Sequence, residues 1–171
     1  MSLQTHITQQ PPPAGKTPTG ENPAVVLLVD DDPDCRMLIR DAIEEAVPGT
    51  LVCEVCDAEK AWEFLRNTGK YGTSPRPTLI YVDVEMPHMN GIELAAMLKL
   101  DKTLTDIPIV MLTGVCDEQR MHAAAACGAN SYTIKPNDAM AFHNNVAAAT
   151  KYWLTVHQSA NRHVSADLCR R

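Results

Sequence analysis

Residues 25–42 read "VVLLVDDDPDCRMLIRDA", and they decide the fold. Five apolar residues run into three consecutive aspartates, and a proline follows at once. With Ala24 in front, "AVVLLV" is the continuous aliphatic run of a strand covered on both faces. Beyond the aspartates, Cys35, Leu38, Ile39, Ala42, Ile43 and Ala46 recur at helical spacing, and Arg36, Arg40, Asp41, Glu44 and Glu45 fill the opposite face. Asp32 is a good N-cap, with Pro33 at the first helical position. "VPGT" stops this helix. A strand that passes through a short acidic turn straight into a helix is one βα unit.

The alternation continues down the chain. "TLVCEVC" reads as a strand, and the charge of Glu54 inside it predicts an edge strand. Ala58, Ala61, Trp62 and Leu65 form the stripe of a second helix. "TLIYVD" is a strand, "NGIELAAMLKL" a helix, "IPIVML" a strand, "DEQRMHAAAACG" a helix, "SYTI" a short strand and "DAMAFHNNVAAATKYWLTV" the last helix. The expected fold class is α/β, a (βα)5 doubly wound parallel sheet of the flavodoxin-like type. The second and fifth strands are the least apolar, which puts them at the edges of a 2-1-3-4-5 order.

With 171 residues the chain has room for one domain and modest tails. At 45% hydrophobic and 21% charged residues, it has the composition of a globular protein. A net charge of −6 gives no electrostatic reason to expect DNA or an anionic membrane as a partner. No apolar run approaches the roughly 18 residues of a membrane span. The N-terminus lacks the basic and apolar segments of a secretory signal, so a cytoplasmic protein is expected. Residues 1–22, rich in Pro, Thr, Gln and Gly, are expected to be a disordered tail. The domain is expected over 23–157, with 158–171 a C-terminal tail or an extension of the last helix. Cys35, Cys116, Cys127 and Cys169 stand singly, and Cys53 and Cys56 form a CxxC. In a strand, positions three apart face opposite ways. A zinc or redox site needs both sulfurs at one point, so Cys53 and Cys56 are expected to be ordinary small buried residues, and all six cysteines fit a cytoplasmic protein if they are reduced.

In an open parallel sheet, ligands bind beyond the carboxyl ends of the strands. The first strand delivers Asp30, Asp31 and Asp32 there, the third ends in Asp83, the fourth in Thr113 and Gly114, and the fifth in Lys135 and Pro136. Several carboxylates in one crevice raise one another's pKa values and weaken the fold. A hard dication such as Mg²⁺ removes that conflict, because it takes carboxylate and phosphate oxygens. The pattern therefore points to a metal-phosphate site, in which an aspartate can act as a nucleophile toward phosphorus, with cationic groups stabilising the transferring charge.

These pieces, "LLVDDDP", "YVDVEMPHMNG", "IVMLTG" and "GANSYTIKP", together resemble the receiver domains of two-component response regulators. The resemblance covers about residues 24–155 and is nearest to the stand-alone, chemotaxis-type receivers. It implies that Asp83 accepts phosphate from a phosphohistidine on a sensor histidine kinase or a histidine phosphotransfer protein. It implies Mg²⁺, or Mn²⁺, held by Asp31 and Asp83 directly, by Asp30 mainly through water, and by the backbone carbonyl of Glu85. Thr113 would hydrogen-bond a phosphoryl oxygen and Lys135 would pair with another. Thr113 and Tyr132 would form a switch: Thr113 moves toward the phosphate and the Tyr132 ring turns into the space it leaves. A partner would then read the face built from the fourth helix, the fifth strand and the last helix.

Some details depart from the commonest pattern. Glu85, two residues after Asp83, would overhang the site, either repelling an anionic donor or orienting the attacking water. Val115 has no carboxylate or amide to position water, which favours a moderately long-lived phosphoryl group. His88 is expected to be a solvated loop residue, since imidazole is a poor Mg²⁺ ligand. Tyr152, Trp153, Leu154 and Val156 either cap the core or form a dimer or partner surface. With only a short tail beyond 157, an action through an unidentified downstream protein is expected, by a monomer or weak homodimer. No catalytic turnover beyond the protein's own phosphorylation and dephosphorylation is expected.

Two other classes compete. A haloacid-dehalogenase-type phosphatase wants an Asp-x-Asp pair on its first strand, and "DVE" lies on the third. A pseudo-receiver, a binding module that is never phosphorylated, would typically lack Asp83 or the acid pair. A flavodoxin is excluded because three aspartates would repel the flavin phosphate.

Overall fold

The computed structural model describes residues 23–114, 122 and 125–156. Five strands, β1 (Val25–Val29), β2 (Leu51–Val55), β3 (Leu79–Asp83), β4 (Ile109–Thr113) and β5 (Ser131–Ile134), form one sheet in the order β2-β1-β3-β4-β5. Every pairing is parallel. The expected order and the two expected edge strands are therefore both present. Four helices are described: α1 (Pro33–Ala46), α2 (Ala58–Leu65), α3 (Gly91–Leu100) and α4 (Ala139–Lys151). The helix expected over 117–128 falls mostly outside the described residues, as do the two expected tails.

Strand alternation divides the core. Leu27, Val29, Ile80, Val82, Ile109 and Met111 turn to one face, where Ala58, Ala61, Phe64 and Leu65 of α2 and Leu94, Ala95 and Leu98 of α3 pack. Val26, Leu28, Leu79, Tyr81, Val110 and Leu112 turn to the other and meet Ile39, Ala42 and Ile43 of α1 and Phe142 and Val146 of α4. Both faces of the central strands are thus buried, as their unbroken apolar runs require. The polar atoms of Tyr81 and Thr150 deep beside the second cluster satisfy each other: the Tyr81 hydroxyl lies 2.9 Å from Thr150 Oγ1 on α4.

Local signals set the helix starts. Asp32 caps α1 by accepting from the Asp34 N–H, with Pro33 following; Asp57 caps α2; Asn90 and Glu93 form a reciprocal capping box on α3; Asp138 caps α4. The edge position of β2 explains its charge. Glu54 lies on the α1 side of the sheet and takes Arg36 and Arg40 of α1, at 3.3 and 3.0 Å.

Two expectations need correction. The last helix does not run uniformly to Val156; at Tyr152–Val156 it loosens into a π-helical turn. That turn presses Trp153 and Leu154 against the core and leaves Tyr152 and Val156 exposed. The CxxC pair is not fully buried either. Cys35, Cys53 and Cys127 are half-buried, but Cys56 is exposed. Strand β2 ends at Val55, so Cys56 sits in the turn before α2, where its sulfur lies 3.2 Å from Lys60 Nζ. All four described cysteines are free thiols.

Candidate functional site

Short turns after β1 and β3 drop acidic residues onto the carboxyl end of the sheet. Asp30, the residue after β1, has 0% exposure. Four of its atoms are held. Its N–H donates to the Val55 carbonyl at 3.3 Å, and its carbonyl accepts from Arg36 Nη1 at 2.6 Å. Its Oδ1 accepts from the Asp32 N–H at 2.9 Å, and its Oδ2 accepts from Lys135 Nζ at 2.8 Å. Asp31 is exposed and faces the crevice. One carboxylate oxygen from each of Asp30, Asp31 and Asp83 lies within 4.8 Å of the others. Three hard oxygen donors this close suit Mg²⁺ or Mn²⁺, which prefer carboxylate and water.

Asp83 closes β3 and is only 6% exposed. Burial pushes its carboxyl above the usual carboxylate value; Lys135 opposes that shift and Asp30 adds to it. Lys135 Nζ stands 3.1 Å from Asp83 Oδ1 as well as against Asp30. Desolvation works to lower the lysine's pKa, but the two carboxylates outweigh it and hold the ammonium firmly charged. The Lys135 backbone is fixed too, its N–H donating to the Thr113 carbonyl at 2.7 Å.

The remaining expected site residues fall nearby. Thr113 is buried at the end of β4. The Glu85 N–H donates to the Asp83 carboxylate. The Glu85 side chain is exposed and leans toward Gly114, its Oε2 3.9 Å from where a β-carbon on that glycine would stand. Tyr132 lies lower on β5, level with Met111, and is 40% exposed. His88 is an exposed loop residue at φ 68°.

Three neighbours were not singled out from the sequence. A β-carbon on Gly91 would stand 2.1 Å from the Asp83 carbonyl oxygen and 2.8 Å from Val82 Cγ1, so only glycine lets α3 start directly on the Asp83 backbone. Cys35 faces Asp30 and Lys135, and burial pushes its thiol up to about 12, partly offset by Lys135. Arg36 grips the Asp30 carbonyl. The "NG" pair was the available signal for Gly91. Cys35 and Arg36 carried none, since a stripe residue and a polar-face residue are what any amphipathic helix shows.

Among the described residues, no helix is long and apolar enough to cross a membrane. Comparison with known proteins agrees with the geometry. The response regulator Rcp1 of Synechocystis sp. is 30% identical over 132 residues, covering 77% of this chain and 90% of that protein. The crystal structure of the phosphorylated cyanobacterial phytochrome response regulator RcpA superposes with a TM-score of 0.77 at 28% identity, over 80% of this chain and 98% of the other. The Mn²⁺-bound form of Rcp1 gives 0.75 at 28% identity, over 80% and 99%. Residues 26–147 match the family described as the response regulator receiver domain. With its 2-1-3-4-5 parallel sheet and its carboxylates and lysine gathered at one end, the chain belongs to the response regulator receiver domain family.

Proposed function

We propose that this protein is a phosphoryl-accepting switch in which Asp83 takes the phosphoryl group of a phosphohistidine. The observation that carries the reading is the buried Asp83 carboxylate, 3.1 Å from Lys135 and within 4.8 Å of the carboxylates of Asp30 and Asp31. One Asp83 oxygen forms the new O–P bond as the N–P bond to the donor histidine breaks, and the electron pair leaves with the imidazole. Lys135, already charged and fixed in place, pairs with a phosphoryl oxygen, and the Thr113 hydroxyl donates to another. Asp30, Asp31, Asp83 and the Glu85 carbonyl would hold Mg²⁺, which when bound supplies positive charge against the carboxylates and the transferring group.

The output follows from the same end of the sheet. A phosphoryl group adds charge and strong acceptors beside Thr113. In this reading Tyr132, 40% exposed on the edge strand, changes its exposure when Thr113 moves, which biases a two-state surface for an unidentified partner protein. The donor is a sensor histidine kinase or a histidine phosphotransfer protein. Since RcpA is a phytochrome response regulator, a phytochrome-type kinase is a sensible first donor to try.

The test is intact mass after incubation with acetyl phosphate, with and without Mg²⁺, for wild type and Asp83→Asn. One added phosphoryl group, dependent on Mg²⁺ and absent from the variant, is the expected result. No adduct under conditions that label another receiver would make the protein a binding module instead.

A further inference from the structure

The contact between Arg36 and Asp30 is not explained by charge pairing. Arg36 is the fourth residue of α1, and its Nη1 donates not to a carboxylate of the cluster but to the Asp30 backbone carbonyl, at 2.6 Å. The same guanidinium is held from behind. Its Nε donates to Glu54 Oε2 at 3.3 Å, while Glu54 Oε1 receives Arg40 at 3.0 Å. Glu54 comes from β2 and Arg36 from α1, so the grip joins the edge strand to the helix that starts at the acidic turn.

The Asp30 carbonyl belongs to the peptide plane linking Asp30 to Asp31. Fixing that oxygen fixes the plane and with it the position of the Asp31 Cα, the point from which the Asp31 carboxylate reaches into the crevice. Asp31 needs this help most. Asp30 is buried and pinned at four atoms, and Asp83 closes a central strand; Asp31 is exposed in a turn. Groups that orient ligands from behind govern metal affinity nearly as strongly as the ligands themselves. We propose that Arg36, held by Glu54, is a positioning residue that sets the Asp30–Asp31 peptide so that Asp31 converges with Asp83 on a divalent cation. This rests on the reading of the carboxylate cluster as a cation site.

The sign of one substitution separates positioning from charge. Arg36 is a cation close to a site for cations, so by Coulomb's law its removal should tighten binding. If it positions Asp31, removal weakens binding. The experiment is calorimetric titration of the full chain with Mn²⁺, together with thermal unfolding in EDTA. Arg36→Ala is expected to bind Mn²⁺ about tenfold more weakly than wild type, the lower end of what loss of an orienting group costs. Arg40→Ala, which removes the same charge from Glu54 but leaves the Asp30 carbonyl held, should stay within about twofold, as expected for an exposed pair. Arg36→Lys keeps the charge and can reach only one of the two partners, so it is expected to weaken binding as well; it is the variant to read if Arg36→Ala does not fold. Wild-type or tighter Mn²⁺ binding by a folded Arg36 variant would overturn the positioning role. Failure of the wild type itself to bind Mn²⁺ would overturn the cation-site reading beneath it.

Discussion

Two partly buried lysines stand at opposite ends of the sheet and show what each end is for. Lys135, at the carboxyl end, faces the carboxylates of Asp30 and Asp83. Lys99, at the amino end, donates to the carbonyls of Thr105 and Ile107 and to Asn130 Oδ1, at 3.0, 3.0 and 3.1 Å. The first ammonium is held charged by its neighbours; the second is pulled below its usual pKa by burial, which Asp106 only partly opposes, and its hydrogen bonds go to neutral oxygens. At the amino end the lysine ties α3 to the starts of β4 and β5, and its needs are met. At the carboxyl end one lysine faces a cluster of three carboxylates, and negative charge remains. Unbalanced charge kept in a half-buried crevice costs stability, and strongly perturbed groups in a cleft mark a candidate functional site.

Replacing the two lysines should break the comparison unequally. Lys135→Met leaves two buried carboxylates without their cation and is expected to cost about 3–5 kcal/mol at neutral pH in the absence of divalent ions. Denaturant titration across pH checks it. Asp83 already holds its proton to higher pH in the folded chain than in the unfolded one. Its ionisation therefore subtracts stability as the pH rises from the ordinary carboxylate value through the folded value. Without Lys135 that loss grows, so the gap from wild type should narrow toward acid pH.

Gly91→Ala comes next. Its methyl group would meet the Asp83 carbonyl, which cannot yield without moving β3. A cost of about 3 kcal/mol is expected, together with slower phosphorylation, measured by unfolding and by mass.

Lys99→Met should be the mildest, at about 1–2 kcal/mol for the lost bonds to neutral acceptors, with phosphorylation unchanged. Its pH signature is opposite in sense. A lowered folded pKa makes the Lys99 contribution rise with pH through that value. The raised pKa of Lys135 makes its contribution complete below the ordinary lysine value of about 10.4 and lost as the pH climbs through the folded value. Parallel pH slopes for the two variants would show that the two ends do not differ in kind.

Much of this was legible in the residues. Unbroken apolar runs marked β1, β3 and β4 as central, and Glu54 and the short "SYTI" marked the edges, because a charge or a brief strand is tolerated only where one side is open. Asp30, Asp31, Asp83 and Lys135 were found because strand ends in a parallel sheet must converge. What could not be read depends on approach in three dimensions. Gly91 looks like any turn glycine until α3 is seen resting on the Asp83 carbonyl. Arg36 and Glu54 each look like solvated charges until the edge strand brings them together. Cys56 was expected to be buried because strand alternation was carried one residue past the point where β2 ends.

The most direct test of the central claim asks which carboxylate reacts. Protein phosphorylated with acetyl phosphate and Mg²⁺ is reduced with borohydride, which converts an aspartyl phosphate to homoserine, and the peptides are then sequenced by mass spectrometry. Homoserine at position 83, with Asp30 and Asp31 intact, is the predicted result. Homoserine at Asp30 or Asp31, or none in a sample that has gained phosphate, would contradict the assignment of Asp83 as the phosphoryl acceptor.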